Sequence, residues 1–137
     1  MHYNARIEVS MKTIEQIKKE YLTFTAERIE NFKREILKLE TEDKDDEAIL
    51  VKVKLNIINI FDTLLSTCEK KMINKKQLSQ QDMVTDFCEE FLAFFDKIPE
   101  NWRINYEKAK EHNDVTQYVI EECKLSEAAL LKNQFEQ

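Results

Sequence analysis

The sequence predicts an all-α protein, an antiparallel bundle of four principal helices with one or two short additional helices. The 137 residues include no glycine and one proline, Pro99, whereas average proteins contain about 7% glycine and about 5% proline. Without glycine the chain lacks the residue that most readily supplies the positive φ angles of tight β-hairpins. Apolar residues also recur at intervals of three and four, which is typical of helix faces that pack against a core.

The first long helix is predicted to start at Thr13, because Thr13 and Gln16 have the spacing of a capping box. Its apolar face is formed by Ile14, Ile17, Tyr21, Phe24, Ile29, Phe32, Ile36 and Leu39. The acidic stretch 40–47 interrupts this pattern and is predicted to be a solvated loop. Asp45 or Asp46 is expected to cap the next helix.

The second helix is predicted to run from about Glu47 to Ile73. Its buried face is expected to hold Leu50, Val53, Ile57, Ile60, Phe61, Leu64, Cys68 and Met72. Because polar residues lie on the opposite side, one face should lie in the core and the other in water. A connection follows over 74–81, in which Ser79 is expected to cap the third helix.

The third helix is predicted over about 80–97, and its apolar side chains cover an arc of roughly 200° at 100° per residue. They are Met83, Val84, Phe87, Cys88, Phe91, Leu92, Phe94, Phe95 and Ile98. A helix with so wide an apolar face is either central to the bundle or buries its excess against a partner. Pro99 should end this helix, because the residue before proline disfavours the α conformation.

A short helix over about 100–112 is predicted next, with Trp102, Tyr106 and Ala109 on one side. A turn at 113–114 follows. The remaining tail is predicted as two helical pieces with a bent or extended segment near 118–121, because Tyr-Val-Ile is β-prone there. Ser126 would cap the second piece.

The length is near the usual size of one domain, so we expect a single helical-bundle domain over 13–137. Residues 1–12 are predicted to form an N-terminal arm, either disordered or ordered only by contact. Because Met11 begins a run that resembles an ordinary start, residues 1–10 could equally be a translational extension.

The net charge is −6, from 27 acidic and 21 basic side chains. This charge disfavours binding to nucleic-acid phosphate and to anionic lipid. No apolar run approaches the roughly 20 residues of a membrane span, and the first ten residues do not resemble a secretory signal. The three widely spaced cysteines are typical of reduced thiols in a cytoplasmic protein. The excess of lysine over arginine is common in low-GC bacteria and their phages.

No motif supports catalysis, a cofactor or a metal. The acidic loop fails as an EF-hand, since the glycine and glutamate positions hold Ala48 and Lys54. Neither histidine belongs to a Glu-x-x-His di-iron motif or to a zinc-ligand pair. His112 lies nine positions from Arg103, near the opposite helix face, unlike the pairs of some helical ribonucleases. A glycine-free chain also lacks the usual nucleotide-binding loops.

The remaining indication of function is the group of large apolar side chains in 92–106, because large apolar patches and Trp or Tyr commonly mark interfaces. The interface candidates are Leu92, Phe94, Trp102 and Tyr106. The alternative is that these side chains complete the core. We predict a non-enzymatic protein-interaction module of accessory, regulatory or immunity type, whose partner is another protein or a second copy in a homodimer. The alternatives are an enzyme with an unrecognised carboxylate-based site and an acidic inhibitor that mimics nucleic acid.

Overall fold

The computed structural model describes residues 12–75 and 77–137, and 87% of them are helical, with no strand in these two ranges. Five helices follow one another: α1 Ile14–Thr41, α2 Asp45–Ile73, α3 Gln80–Lys97, α4 Glu100–Glu111 and α5 Val115–Glu136. The predicted all-α bundle is confirmed, with α4 as its short additional helix. Up to position 11, the predicted arm or translational extension lies outside the residues that the structure describes.

The helix starts follow local capping chemistry. The Thr13 hydroxyl accepts the amide of Gln16 at 3.1 Å, and the Gln16 side chain accepts the amide of Thr13 at 2.9 Å, which completes the predicted capping box. Ser79 caps α3, as predicted. The expected aspartate cap of α2 is wrong, because the cap position is Lys44 and makes no side-chain hydrogen bond. The aspartates lie instead in the first turn, where a negative charge favours the helix dipole.

Two similar turns replace glycine at the tips of the helix pairs α1–α2 and α4–α5. Asp43 and Asn113 adopt positive φ angles of 58° and 54°. In each turn the next amide donates to the carbonyl five positions earlier, at 2.8 Å in the first turn and 2.9 Å in the second. This is the Schellman pattern that usually employs glycine, and Asn and Asp tolerate it better than most residues.

Helix α2 is the centre of the bundle and packs against α1, α3 and α5, whereas α4 packs mainly on α5. Lys18, near the start of α1, pairs with Glu69, near the end of α2, at 2.8 Å. At the opposite end Lys52 pairs with Glu40 at 2.9 Å. These contacts confirm that the two longest helices are antiparallel.

Five aromatic rings join four helices in the core. Phe61 of α2 stacks on Phe95 of α3, with ring centroids 4.2 Å apart. Phe91 of α3 meets Tyr21 of α1 edge to face at 5.3 Å and Phe135 of α5 at 4.7 Å. Such edge-to-face pairs add about 0.5–1.5 kcal/mol each beyond the burial of their area. The cluster therefore brings the end of α5 against α1 and α3.

The buried side of α2 is wider than predicted. Of the expected positions, half are buried (Ile57, Phe61, Cys68 and Met72) and half are half-buried (Leu50, Val53, Ile60 and Leu64). Ile58 and Leu65, which the spacing did not indicate, are fully buried at 0% exposure. Because α2 contacts three helices, more than one stripe of its surface is covered. The spacing alone identified only one of these stripes.

The predicted break in the tail is wrong, since α5 is one continuous helix over Val115–Glu136. Its first half packs on α4 and its second half on α1 and α2. This packing outweighs the β preference of the segment 118–120, which is a weaker effect than tertiary contact.

Candidate functional site

A groove of 660 Å³ lies between α1 and α3 where α5 ends. We call it the α1–α3 groove. Phe135, close to the end of α5, packs against Tyr21 of α1 and Phe91 of α3. Beyond this contact α1 and α3 continue without α5 between them. The groove therefore occupies the space in line with the fifth helix.

The apolar part of the groove lining comes from three helices. Ile17 comes from α1 and Phe135 from α5, and one face of α3 supplies Val84, Cys88 and Leu92. The α3 residues lie at steps of four, so they share one side of the helix. Apart from Tyr21, which is 3% exposed, the apolar lining side chains are half-buried. This surface can offer apolar contact to a ligand.

A smaller hollow of 320 Å³ adjoins the groove toward the start of α3. Its lining includes Ile14 of α1 and Gln80 and Met83 of α3, and Val84 lines both spaces. From position 80 to position 92 α3 rises about 18 Å, at 1.5 Å per residue. The combined surface has the length of about three helical turns.

The four predicted interface residues do not lie on one surface. Leu92 lines the α1–α3 groove. Phe94 packs against the core on another side of α3, with the Lys97 ammonium 6.0 Å from its ring.

Trp102 and Tyr106 lie on the α4–α5 side. Trp102 packs against the core beneath the Lys124 ammonium, 6.0 Å from its ring. Tyr106 stacks on Tyr118 of α5 at 5.0 Å. These two residues therefore help join α4 to α5, and of the four candidates only Leu92 is among the lining residues of the groove.

Sequence reasoning missed the contributions of α1 and α5 to the groove, Ile17 and Phe135. Ile17 is predicted on the apolar face of the first helix and Phe135 lies in the tail, and their neighbours across the groove are far away in sequence. The available signal was the wide apolar arc of α3, which indicated either a central position in the bundle or an apolar side that a partner covers.

A polar cluster is buried between α1, α2 and α5. Arg28 donates to both carboxylate oxygens of Glu127, at 2.7 and 2.8 Å, and Glu127 is only 2% exposed. The Thr25 hydroxyl lies 3.3 Å from Asp62 Oδ2. The other Asp62 oxygen and the Tyr21 hydroxyl are buried and have no hydrogen-bond partner among the described residues.

Burial has a direct effect on the acidity of this cluster. It raises the pKa of Asp62, and the hydrogen bond from Thr25 opposes that rise. It also raises the pKa of Tyr21, to which the nearby carboxylates of Asp62 and Glu127 contribute. Arg28 neutralises Glu127 and joins α1 to α5, and the contact between Thr25 and Asp62 joins α1 to α2. The main role of the cluster is therefore to join three helices.

Two carboxylates of α3 are engaged in ion pairs. Asp86 of α3 pairs with Lys75 at 3.1 Å, and Glu90 pairs with Lys71 of α2 at 3.5 Å. These pairs bridge the end of α2 to α3. No group of three or more His, Cys, Asp or Glu that could hold a metal ion is found in the two described ranges.

The cysteines differ in their surroundings. Cys68 is completely buried, and burial raises the pKa of its thiol to about 11. Cys88 is half-buried in the groove, and burial raises its pKa as well. Cys123 is half-buried on α5. The two thiols with raised pKa are poor nucleophiles at neutral pH.

Comparison of the chain with protein-family models, with curated proteins and with solved structures found no match. Within the described ranges, no helix combines the length and the hydrophobicity that crossing a membrane would require.

Proposed function

We propose that this protein is a non-enzymatic interaction module that binds another protein through the α1–α3 groove. The observation that supports this is the composition of the groove, whose apolar lining side chains are buried or half-buried and whose three lining glutamates are exposed. Catalysis would need titratable groups that converge on one reacting atom. Binding needs half-buried apolar side chains that a partner can cover.

Leu92 is the leading interface residue of this proposal, since it is both a predicted candidate and part of the groove. A module of this kind would act in an accessory, regulatory or immunity-type role by binding a partner protein. The three unpaired cysteines favour a reducing compartment such as the cytoplasm.

The test is comparative capture with purified full-length protein and two variants. Val84→Arg places a bulky charge in the groove at a half-buried position. Val115→Arg makes the same change at a 68% exposed position at the opposite end of α5, about 30 Å away. Both variants should keep the helical circular dichroism spectrum and the melting temperature of the wild type within a few degrees.

We expect one protein from a lysate of the native cell to be retained by the wild type and by Val115→Arg, and to be lost with Val84→Arg. The purified partner should then bind the wild-type protein with measurable affinity and the groove variant at least tenfold more weakly. Equal retention by both variants would show that function does not depend on the groove.

A further inference from the structure

The edge of the α1–α3 groove carries an excess of negative charge. Lys12 and Glu20 line the α1 side and pair with each other at 3.0 Å. Glu89 and Glu136 line the α3 and α5 sides, are exposed, and form no ion pair with any residue in 12–75 or 77–137. Two carboxylates therefore face solvent beside an apolar surface.

The shape of the groove is that of a helix-sized slot. Helices α1 and α3 flank it, and α2 is joined to both, through Lys18–Glu69 on one side and Lys71–Glu90 on the other. Helix α5 lies in the same slot up to its end at Glu136. Since α5 packs there as a helix, a second helix of about two to three turns fits the continuation of its path.

We propose that the α1–α3 groove binds an amphipathic helix from a basic partner protein. The helix would place apolar side chains on Val84, Cys88 and Leu92 and lysine or arginine side chains beside Glu89 and Glu136. This proposal rests on the proposed function and adds the chemistry of the partner. A second copy is the less favourable occupant, because each chain carries a net charge of −6 and like charges oppose association.

Designed peptides test the charge of the occupant without knowledge of the partner. Two fluorescein-labelled peptides of about 14 residues would share the same leucines at helical i, i+3, i+4 and i+7 positions. One carries lysine at the flanking positions and the other glutamate. When the full chain is titrated into each peptide and binding is measured by fluorescence anisotropy, the lysine peptide should bind at least tenfold tighter than the glutamate peptide. Added salt should reduce this difference.

Charge reversal of the groove provides the matched control. The double change Glu89→Lys and Glu136→Lys should reverse the preference between the two peptides. The double change Glu107→Lys and Glu111→Lys alters the net charge equally on the exposed side of α4 and should leave the preference unchanged. An equal shift in both double variants would mean that net charge, and not the groove, determines binding.

Other outcomes would overturn the proposal and assign the groove differently. Equal binding of the two peptides, or no binding of either, refutes a basic helical occupant. Binding only by a chain that begins at Lys12 would assign the groove to residues 1–11. Self-association in sedimentation that disappears with Val84→Arg would assign it to a second copy. If a captured partner depends on Val84 but not on Glu89 and Glu136, the interaction module stands and the basic occupant does not.

Discussion

Loss of Arg28, the partner of the buried Glu127, should be the most damaging single change of a charged residue in the cluster between α1, α2 and α5. The perturbation is Arg28→Met, which retains an aliphatic side chain and removes the guanidinium. In the wild type Arg28 donates twice to Glu127, whose side chain is 2% exposed while that of Arg28 is 27% exposed. Removal leaves a buried carboxylate without its countercharge.

The magnitude follows from the burial of the two partners. Breaking a buried ion pair by deletion of one partner costs about 3–5 kcal/mol. We expect about 3 kcal/mol, the lower end, because the Arg28 side lies close to solvent and water can reach the carboxylate. For a domain of this size the loss lowers the melting temperature by about 10 °C. The reverse deletion, Glu127→Leu, leaves a more exposed cation and should cost less.

The assay is a double-mutant cycle followed by urea and thermal denaturation. The double variant Arg28→Met with Glu127→Leu should be within about 1 kcal/mol of the wild type, because apolar replacement of both partners removes the desolvation cost. Arg34→Met, at an exposed position on the same helix, should change stability by less than about 0.5 kcal/mol. If Arg28→Met costs no more than Arg34→Met, the reasoning from burial is refuted.

Three further experiments should give distinct results. Burial raises the pKa of Asp62 above its unfolded value, so the stability contributed by the protonated form is lost as pH rises through the folded-state pKa. Asp62→Asn should therefore stabilise the protein at neutral pH and change its stability little in acid. An Asn variant that is less stable than the wild type at neutral pH would contradict this. Thiol labelling should be slow at Cys68 and Cys88 in the native state and fast in urea, and a bound groove ligand should slow labelling of Cys88 further; rapid labelling of folded Cys68 would be inconsistent with its burial. Asp43→Gly should raise the free energy of unfolding by about 0.5–1 kcal/mol, because glycine adopts positive φ without strain, and a lower melting temperature would show that the aspartate contributes more than its strain costs.

The spacing of apolar residues is sufficient to predict the first four helices, because each face repeats within one element. Thr13 and Ser79 mark helix starts through contacts with residues three positions away, which the sequence displays directly. The tail was less predictable. Its β-prone segment becomes helical because α5 packs on α4, a contact that involves a different element.

The site could be predicted only in part, because it depends on residues brought together from distant parts of the chain. Leu92 was identified from the wide apolar arc of α3, but Ile17 and Phe135 join it through the tertiary arrangement. Glu127 resembles a surface residue in the sequence. Its burial depends on Arg28, which lies 99 positions away.

The two Schellman turns also have consequences for the folding rate. They connect α1 to α2 and α4 to α5, so both helix hairpins close over short loops and make local contacts that form quickly. Docking of α5 on α1 closes a far longer stretch, since the contact between Arg28 and Glu127 spans 99 positions. We therefore expect the ion pair to form after the rate-limiting barrier. Its removal should then accelerate unfolding and leave the folding rate nearly unchanged.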